Sequence, residues 1–383
     1  MEIEKLLENI GQRHLLLLNE NGYIPGGHNG PYYDKETPVR NTAHWSTIFA
    51  FLYRKTNKSE YLAAVEKCAD YLMSEAARPM QASYFCRTNV NKDLSNGTIG
   101  QAWAIEGLVS AYKVTNNKAY IETAREVFLL HPFDERYKLW KVVNVDGSIR
   151  QFDMTFNHQL WLAASGTVLL AELPDAEIKS QCQMFFDELP NMLRTYKNGL
   201  IKHGVLNSVT LIDKLRNVFD WLMYKRKSMK TGKNMLYKEN GYHLFNLYAF
   251  AIIKQHFGDI PLFKLDKFKH ALSYCFSTQL RDSLEKESRK LDINNMPKVT
   301  TDKFNIYGYS YNAPGFEMPY IYSVFKEFLP ESEKQIDSVM QNQIAFNYSE
   351  ETESFSQNTD DSATLDARLY ELVRALELKS EID

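Results

Sequence analysis

Thr56-Asn57-Lys58-Ser59-Glu60-Tyr61-Leu62 returns, at a shift of 59, as Thr115-Asn116-Asn117-Lys118-Ala119-Tyr120-Ile121. A tryptophan precedes each copy, Trp45 and Trp103, and a third follows at Trp161, the three spaced 58 residues apart. Their settings agree: Ala43-His44-Trp45, Gln101-Ala102-Trp103 and His158-Gln159-Leu160-Trp161. Self-similarity at a fixed period marks a supersecondary unit that buries its apolar face only by stacking on its neighbours.

Each unit reads as helix, short polar turn, helix. From Thr42 to Lys55 the apolar residues Trp45, Ile48, Phe49, Leu52 and Tyr53 recur at helical spacing, and Asn57 marks the stop. A second amphipathic helix follows over 60–74. The next pairs fall at 99–114 with 118–130, 157–173 with 175–196, 242–257 with a more polar partner near 262–281, and 314–328 with 331–345. A sixth inner helix over 363–378 takes the N-terminal segment 3–18 as its partner, closing a ring. Six antiparallel pairs predict an all-α fold, an (α/α)6 toroid formed as one domain over residues 1–383. Ala163-Ala164-Ser165-Gly166 supplies the small side chains that close packing around an axis needs. Strand patterns are few and local, as at 140–152.

Turns within a pair are a few residues long, whereas the connections between pairs (19–41, 75–98, 131–156, 197–241, 284–313 and 346–362) are long. Loops of this length in a compact domain are usually functional or disordered. In a toroid all six emerge at the N-termini of the inner helices, where they wall a cleft.

Composition bounds the rest. An apolar fraction of 44% supports a sizeable core and excludes a disordered chain. A net charge of -3 gives no electrostatic footprint for nucleic acid. No run approaches a membrane span, and the start Met1-Glu2-Ile3-Glu4-Lys5 lacks a secretory pattern. Cys68, Cys86, Cys182 and Cys275 are too scattered for a zinc site or a disulfide framework. The expectation is a cytoplasmic protein with no integral membrane segment, and the sequence leaves its oligomeric state open. No phosphate loop, nucleophile elbow or metal-ligand spacing occurs, so no cofactor and no metal are called for.

The long loops concentrate aromatic and polar residues. The first carries His28, Asp34 and Arg40 and leads to His44; the third carries Asp153, Asn157 and His158; the fourth ends at Tyr242-His243; the fifth carries Tyr309, Tyr311 and Glu317; the sixth carries Asp361. Aromatic rings interleaved with Asn, Gln, Asp, Arg and His suit a carbohydrate, with its apolar face and its rim of hydroxyls. Helix N-termini nearby favour anionic groups. His44, His158 and His243 each lie at the N-terminal end of an inner helix, in three different units, where a helix N-terminus keeps imidazole neutral; each reads as a general base, an acid, a ligand or a hydrogen-bonded wall residue. His14, His203, His256 and His270 are expected on outer or surface positions. Among the carboxylates, Asp153 lies between Phe152 and Phe156, where burial would raise its pKa and the helix dipole lower it; it reads as catalytic or as a helix cap, and so does Asp361. Lys225-Arg226-Lys227, Lys230, Lys233 and Lys238 form a basic run that reads as a solvated loop or as a contact for an anion.

Gly100-Gln101-Ala102-Trp103-Ala104-Ile105, with Gly107 and Ala111-Tyr112-Lys113-Val114-Thr115, resembles the unsaturated glucuronyl and rhamnogalacturonyl hydrolases, which are (α/α)6 enzymes. The resemblance implies Gln101 and Trp103 as cleft residues; Ile99 stands where those enzymes have a substrate-binding Arg. Asn157-His158-Gln159-Leu160-Trp161 weakly resembles the N-acylglucosamine 2-epimerase and aldose–ketose isomerase family, which implies His158 and His243 as a proton-transfer pair. Asn29 to Tyr32, Thr37 to Trp45, Gly97 to Trp103 and Leu130 to Glu135 resemble proteins of the AglQ type, found in archaeal protein-glycosylation and bacterial surface-polysaccharide clusters. That resemblance implies a role in glycan assembly or processing.

Three functions compete. The leading one is a glycoside-hydrolase-like enzyme acting on an acidic or amino-sugar glycan or its precursor. There Asp153 is the acid or base, Glu317 or Asp361 opposes it, and Gln101, Trp103, Tyr309 and Tyr311 hold the sugar. The second is a sugar epimerase or isomerase using His158 and His243. The third is a glycan-binding scaffold without catalysis.

Overall fold

The computed structural model describes residues 3–205, 235–284, 304–329 and 333–382. Seven helices fill the first half: α1 (Ile3–Asn21), α2 (Val39–Thr56), α3 (Ser59–Met73), α4 (Ile99–Thr115), α5 (Lys118–Leu130), α6 (Phe156–Glu172) and α7 (Ala176–Met192). Seven more follow: α8 (Met235–Phe257), α9 (Asp266–Tyr274), α10 (Thr278–Leu284), α11 (Pro314–Phe325), α12 (Glu333–Asn347), α13 (Ser362–Ala367) and α14 (Leu369–Ile382). A small antiparallel sheet, β1 (Phe133–Asp134), β2 (Leu139–Val143) and β3 (Ile149–Phe152), fills the third loop.

The helices α2, α4, α6, α8, α11 and α14 each pack on the next, and α14 returns to α2. This is the inner ring of an (α/α)6 toroid. Its members are buried almost all round: in α6 every residue from Gln159 to Leu169 is buried. The outer helices are amphipathic, burying one stripe; in α3 it is Tyr61, Ala64, Val65, Cys68, Ala69 and Leu72.

The repeated turn is explained by its asparagines. Asn57 and Asn116 end α2 and α4 in the left-handed region, at φ 55° and 56°, each backbone N–H reaching the carbonyl four residues back. The side chain of Asn117 then caps α5. Small residues set the spacing of the ring. A Cβ on Gly107 would stand 2.8 Å from Ala43 Cα, and Ser46 donates to the Gly107 carbonyl at 2.9 Å, so α4 and α2 touch backbone to backbone.

The structure departs from the expected elements in three places. The outer segment 262–281 is broken into a 3-10 turn at Pro261–Lys264, α9 and α10. The inner helix at 314–328 ends at Phe325 and tightens into a 3-10 turn. The sixth inner helix is interrupted at Arg368, whose backbone caps α13 while its side chain turns to Glu317. Lys225, Arg226, Lys227, Lys230 and Lys233 of the basic run lie outside the described residues. Among the described residues the four cysteines are free and buried, and no helix is long and apolar enough to cross a membrane.

Buried charge pairs tie the last inner helix to the others. Arg374 Nη2 of α14 meets Glu106 Oε1 of α4 at 2.8 Å, with both residues under 9% exposed. Removing one partner leaves the other charge buried and unpaired. Arg374→Met is therefore expected to destabilise the fold by ~3–5 kcal/mol, and Arg374→Met with Glu106→Leu to recover most of it. Equilibrium denaturant unfolding of the two variants decides this; an equal loss in both would show that the pair itself is not what is being broken.

Candidate active site

The loops at the N-terminal end of the inner ring enclose a cavity of about 200 Å³. All six hairpins contribute to it: Arg40 from α2, Trp103 from α4, Asn157 and His158 from α6, Tyr242 and Phe245 from α8, Asn312 just before α11, and Arg368 after α13.

His158 is the group best placed for proton transfer. It sits in the first turn of α6, and its Nδ1 lies 2.6 Å from Asp153 Oδ2. Asp153 is fixed by its surroundings: Thr155 N–H donates to Oδ1 at 3.0 Å, and Thr98 N–H reaches Oδ2 at 3.4 Å from the start of α4. Burial opposes its ionisation, but His158 and the Thr155 N–H hold its carboxyl below the usual range. An ionised carboxylate on Nδ1 places a proton there, so that in a neutral imidazole Nε2 is the acceptor; His158 itself lines the cavity. Gly97 makes room for the pair, at φ 60°: a Cβ there would overlap Asp153 Oδ2 and stand 2.8 Å from His158 Nδ1.

His203 also lines the cavity. Burial, with Lys238 and His158 nearby, pushes its imidazole well below its ordinary pKa, so it is neutral. Its backbone is built into the site, donating to Glu239 Oε1 at 3.1 Å and accepting from Phe156 N–H at 3.0 Å. Lys238 lies 5.3 Å and 5.8 Å from the ring centres of Tyr32 and Tyr242, and burial lowers its pKa to about 8. Tyr32 and Tyr242 share a hydrogen bond at 2.9 Å, and Tyr311 donates to Asn29 Oδ1 at 2.7 Å.

Asp34 lines the opposite side. Burial would raise its pKa, but Lys92 and Asn89 bond its oxygens and Arg87 stands 3.8 Å away, so it is held ionised. Arg40 lies over Trp103 at 4.5 Å and Arg368 over Phe245 at 4.9 Å, forming the floor.

The structure brings Asp34, Arg40, Trp103, Asn157, His158 and Tyr311 to the cavity wall, with Asp153 directly behind His158. The other expected residues lie elsewhere. Gln101 is fully buried and clamps its own loop, accepting from Tyr84 N–H at 2.7 Å and donating to Ser95 O at 2.9 Å. Gln159 clamps Trp140 in the same way. His243 takes that role in the fourth hairpin, between Ile201 N–H and Ala271 O, and burial lowers it to about 4. His44 is sealed beneath the floor, stacked on Tyr370 at 3.9 Å.

Glu317 is also behind the floor, bonded to Arg368, and burial raises it to about 7 despite that guanidinium. Asp361 caps α13 and accepts from the Gly30 N–H at 2.7 Å, so it is a loop anchor. His28 packs on Tyr33 and bonds to Asp360 O and Gly30 O. Tyr309 is buried against Phe346 outside the cavity.

His203 was expected on an outer position, because no helical pattern surrounds it. It enters the site through the isolated bridge between Thr155 and Gly204, a pairing across loops that no local pattern announces. His14 likewise is buried, stacked on Trp45 at 3.8 Å. Lys238 and Arg368 share with His158 a position near the start of an inner helical segment, which is the signal that could have found them.

Gly97→Ala is expected to push Asp153 away from His158 while leaving the ring of helices intact. Imidazole ¹⁵N NMR should show the fixed Nδ1–H tautomer of His158 in the native protein and its loss in the variant, with far-UV circular dichroism unchanged. An unchanged tautomer in Gly97→Ala would mean that the dyad does not depend on this contact.

No family model matches the chain. Archaeal glycosylation protein Q of Haloferax volcanii is 35% identical over 381 residues, covering 97% of each chain. Cellobiose 2-epimerase from Bacillus thermoamylovorans B4167 superposes with a TM-score of 0.62 at 12% identity, over 97% of this chain and 98% of that one. Unsaturated glucuronyl hydrolase from Bacillus sp. GL1 superposes at 0.61 and 12% identity, over 96% and 95%. A D-mannose isomerase gives 0.62 at 13% identity, over 100% and 98%. At these identities the three solved structures establish the toroid fold.

Proposed function

This chain belongs to the family of archaeal glycosylation protein Q, and from that premise we propose that it is an enzyme of glycan metabolism that epimerises or isomerises a sugar by proton transfer at carbon. One observation carries the reading: the Asp153–His158 dyad stands at the wall of a cavity of about 200 Å³, large enough for a sugar unit and lined by aromatic rings.

In this reading His158 Nε2 removes the proton from the carbon beside the carbonyl of an open-chain sugar, giving an enediolate. Asp153 stabilises the imidazolium that forms. A proton returned to the same carbon on its other face gives the epimer; returned to the neighbouring carbon, it gives the isomer. His203, lining the same cavity, is the second proton-transfer group, in place of the His243 expected from the sequence; burial keeps it neutral at rest, so the proton it delivers is taken from solvent, and His158 returns its own proton to solvent. Lys238, at about 8, stands close by to steady developing negative charge on oxygen.

Hydrolysis is less well supported. It ordinarily needs a protonated carboxyl opposed by a carboxylate across the bond. Asp34 and Asp153 are both held ionised, and Glu317 and Asp361 bond elsewhere.

The test is turnover in D₂O with a panel of free hexoses, hexuronates and N-acetylhexosamines, read by mass and by NMR. The native protein is expected to incorporate solvent deuterium at one sugar carbon. His158→Gln should lower the rate by about 10²–10⁴-fold with the fold retained. Cleavage of a glycoside without deuterium at carbon would overturn the reading in favour of a hydrolase.

A further inference from the structure

The floor of the cavity carries more cationic donor capacity than the protein uses. Arg40 and Arg368 are 1% and 2% exposed, yet both line the cavity. Among the described residues Arg40 bonds only through Nη1, to Asn29 at 3.2 Å and to Glu36 at 3.4 Å. Arg368 engages its acids, Glu317 and Glu371, only through Nη2. The Nε–H of each is buried without a partner. Stacking on Trp103 and Phe245 fixes the plane of each guanidinium and leaves its edge as the only place a partner can bind.

We propose that the sugar bound here carries an anionic group, a carboxylate or a phosphate, held between the free edges of Arg40 and Arg368. The inference rests on the reading of this cavity as the sugar site. Arg40 and Arg368 are both buried and feel one another's charge, a costly arrangement that an anion relieves. The guanidinium fork matches a carboxylate or phosphate oxygen pair. The acids that might neutralise the floor sit behind it, and burial pushes Glu36 and Glu317 toward their protonated forms, to about 7, against the pull of the arginines. Asp34, the carboxylate on the wall, is already met by Lys92 and Arg87. Lys238 adds a third cation with no ion pair among the described residues, its ammonium resting on tyrosine rings. Beside the arginines, the Oδ1 atoms of Asn157 and Asn312 are also buried and unpartnered, and they would accept from sugar hydroxyls.

The experiment measures binding alone, in His158→Gln protein, so that it does not depend on turnover. Calorimetric titration compares D-glucuronate and D-galacturonate with D-glucose, D-galactose and D-glucose 6-phosphate. At least one anionic sugar is expected to bind about 10-fold or more tightly than its neutral parent, since a charge-assisted contact contributes about 1.5–3 kcal/mol. Preference for a uronate assigns the group as carboxylate, and preference for the phosphate ester assigns phosphate. Arg40→Gln should abolish the preference. Because that change could unfold the protein, Lys238→Met is the second variant, expected to cost the anionic sugar about tenfold and the neutral one little. Equal affinity for neutral and anionic sugars, or no binding by any anionic sugar, overturns the proposal. An anionic sugar that binds but exchanges no deuterium with the native protein defeats the epimerase reading and leaves this one standing.

Discussion

Closure of the inner ring is the constraint on which the rest depends. Six helices can surround an axis only if the last returns to the first, and here α14 must find α2 across more than 300 residues of chain. Apolar packing supplies most of the driving force but little direction, because leucine faces are interchangeable. Direction comes from the arginines of the sixth hairpin. Arg374 reaches across to Glu106 on α4, and Arg368 reaches to Glu317 on α11. From the outside, Arg13 on α1 bonds Asp366 at 3.1 Å, locking the first helix onto the last hairpin. Buried pairs of this kind add little net stability, yet a wrong register would leave each charge unpaired.

The same closure creates the site. Arg368 interrupts the sixth inner helix, and in turning toward Glu317 it puts one edge of its guanidinium on the cavity floor. One side chain thus both bonds α11 and lines the cavity. Above the floor, the long loops are held by a recurring device: Gln101, Gln159 and His243 occupy equivalent positions and each hydrogen-bonds the backbone of its own loop. These clamps keep irregular backbone satisfied and rigid, so that Asp153 arrives beside His158 and His203 faces both.

Charge sorts the cavity. At one place, a carboxylate is paired with an imidazole through Nδ1. At another, Asp34 is neutralised by its own cations. Arginine N–H donors are left over at the floor, and the Lys238 ammonium lies beside the tyrosines. An imidazole oriented by a carboxylate, beside unused cationic donors, is an arrangement that can stabilise negative charge developing on a bound molecule.

The sequence by itself determined the helical hairpin, its repeat and the ring. Turn asparagines, apolar periodicity and small residues at the contacts are local properties, so Asn57, Asn116, Gly107 and the three tryptophans could be read without coordinates. It also pointed to the end of the ring where the cavity lies, and it named His158 and Asp153, which are near neighbours in the chain and bond one another in the structure. Only the tertiary structure decided which polar residues at that end face the cavity. Gln101 and His243 look like ligand-binding residues, yet they satisfy buried backbone. Glu317 looks like a catalytic acid, yet it is the counter-ion of Arg368. His203 looks peripheral, yet a bridge to Thr155 carries it into the site. The reason is physical: burial and pairing partners are set by contacts between loops of different hairpins, at separations over which a one-dimensional pattern holds no information.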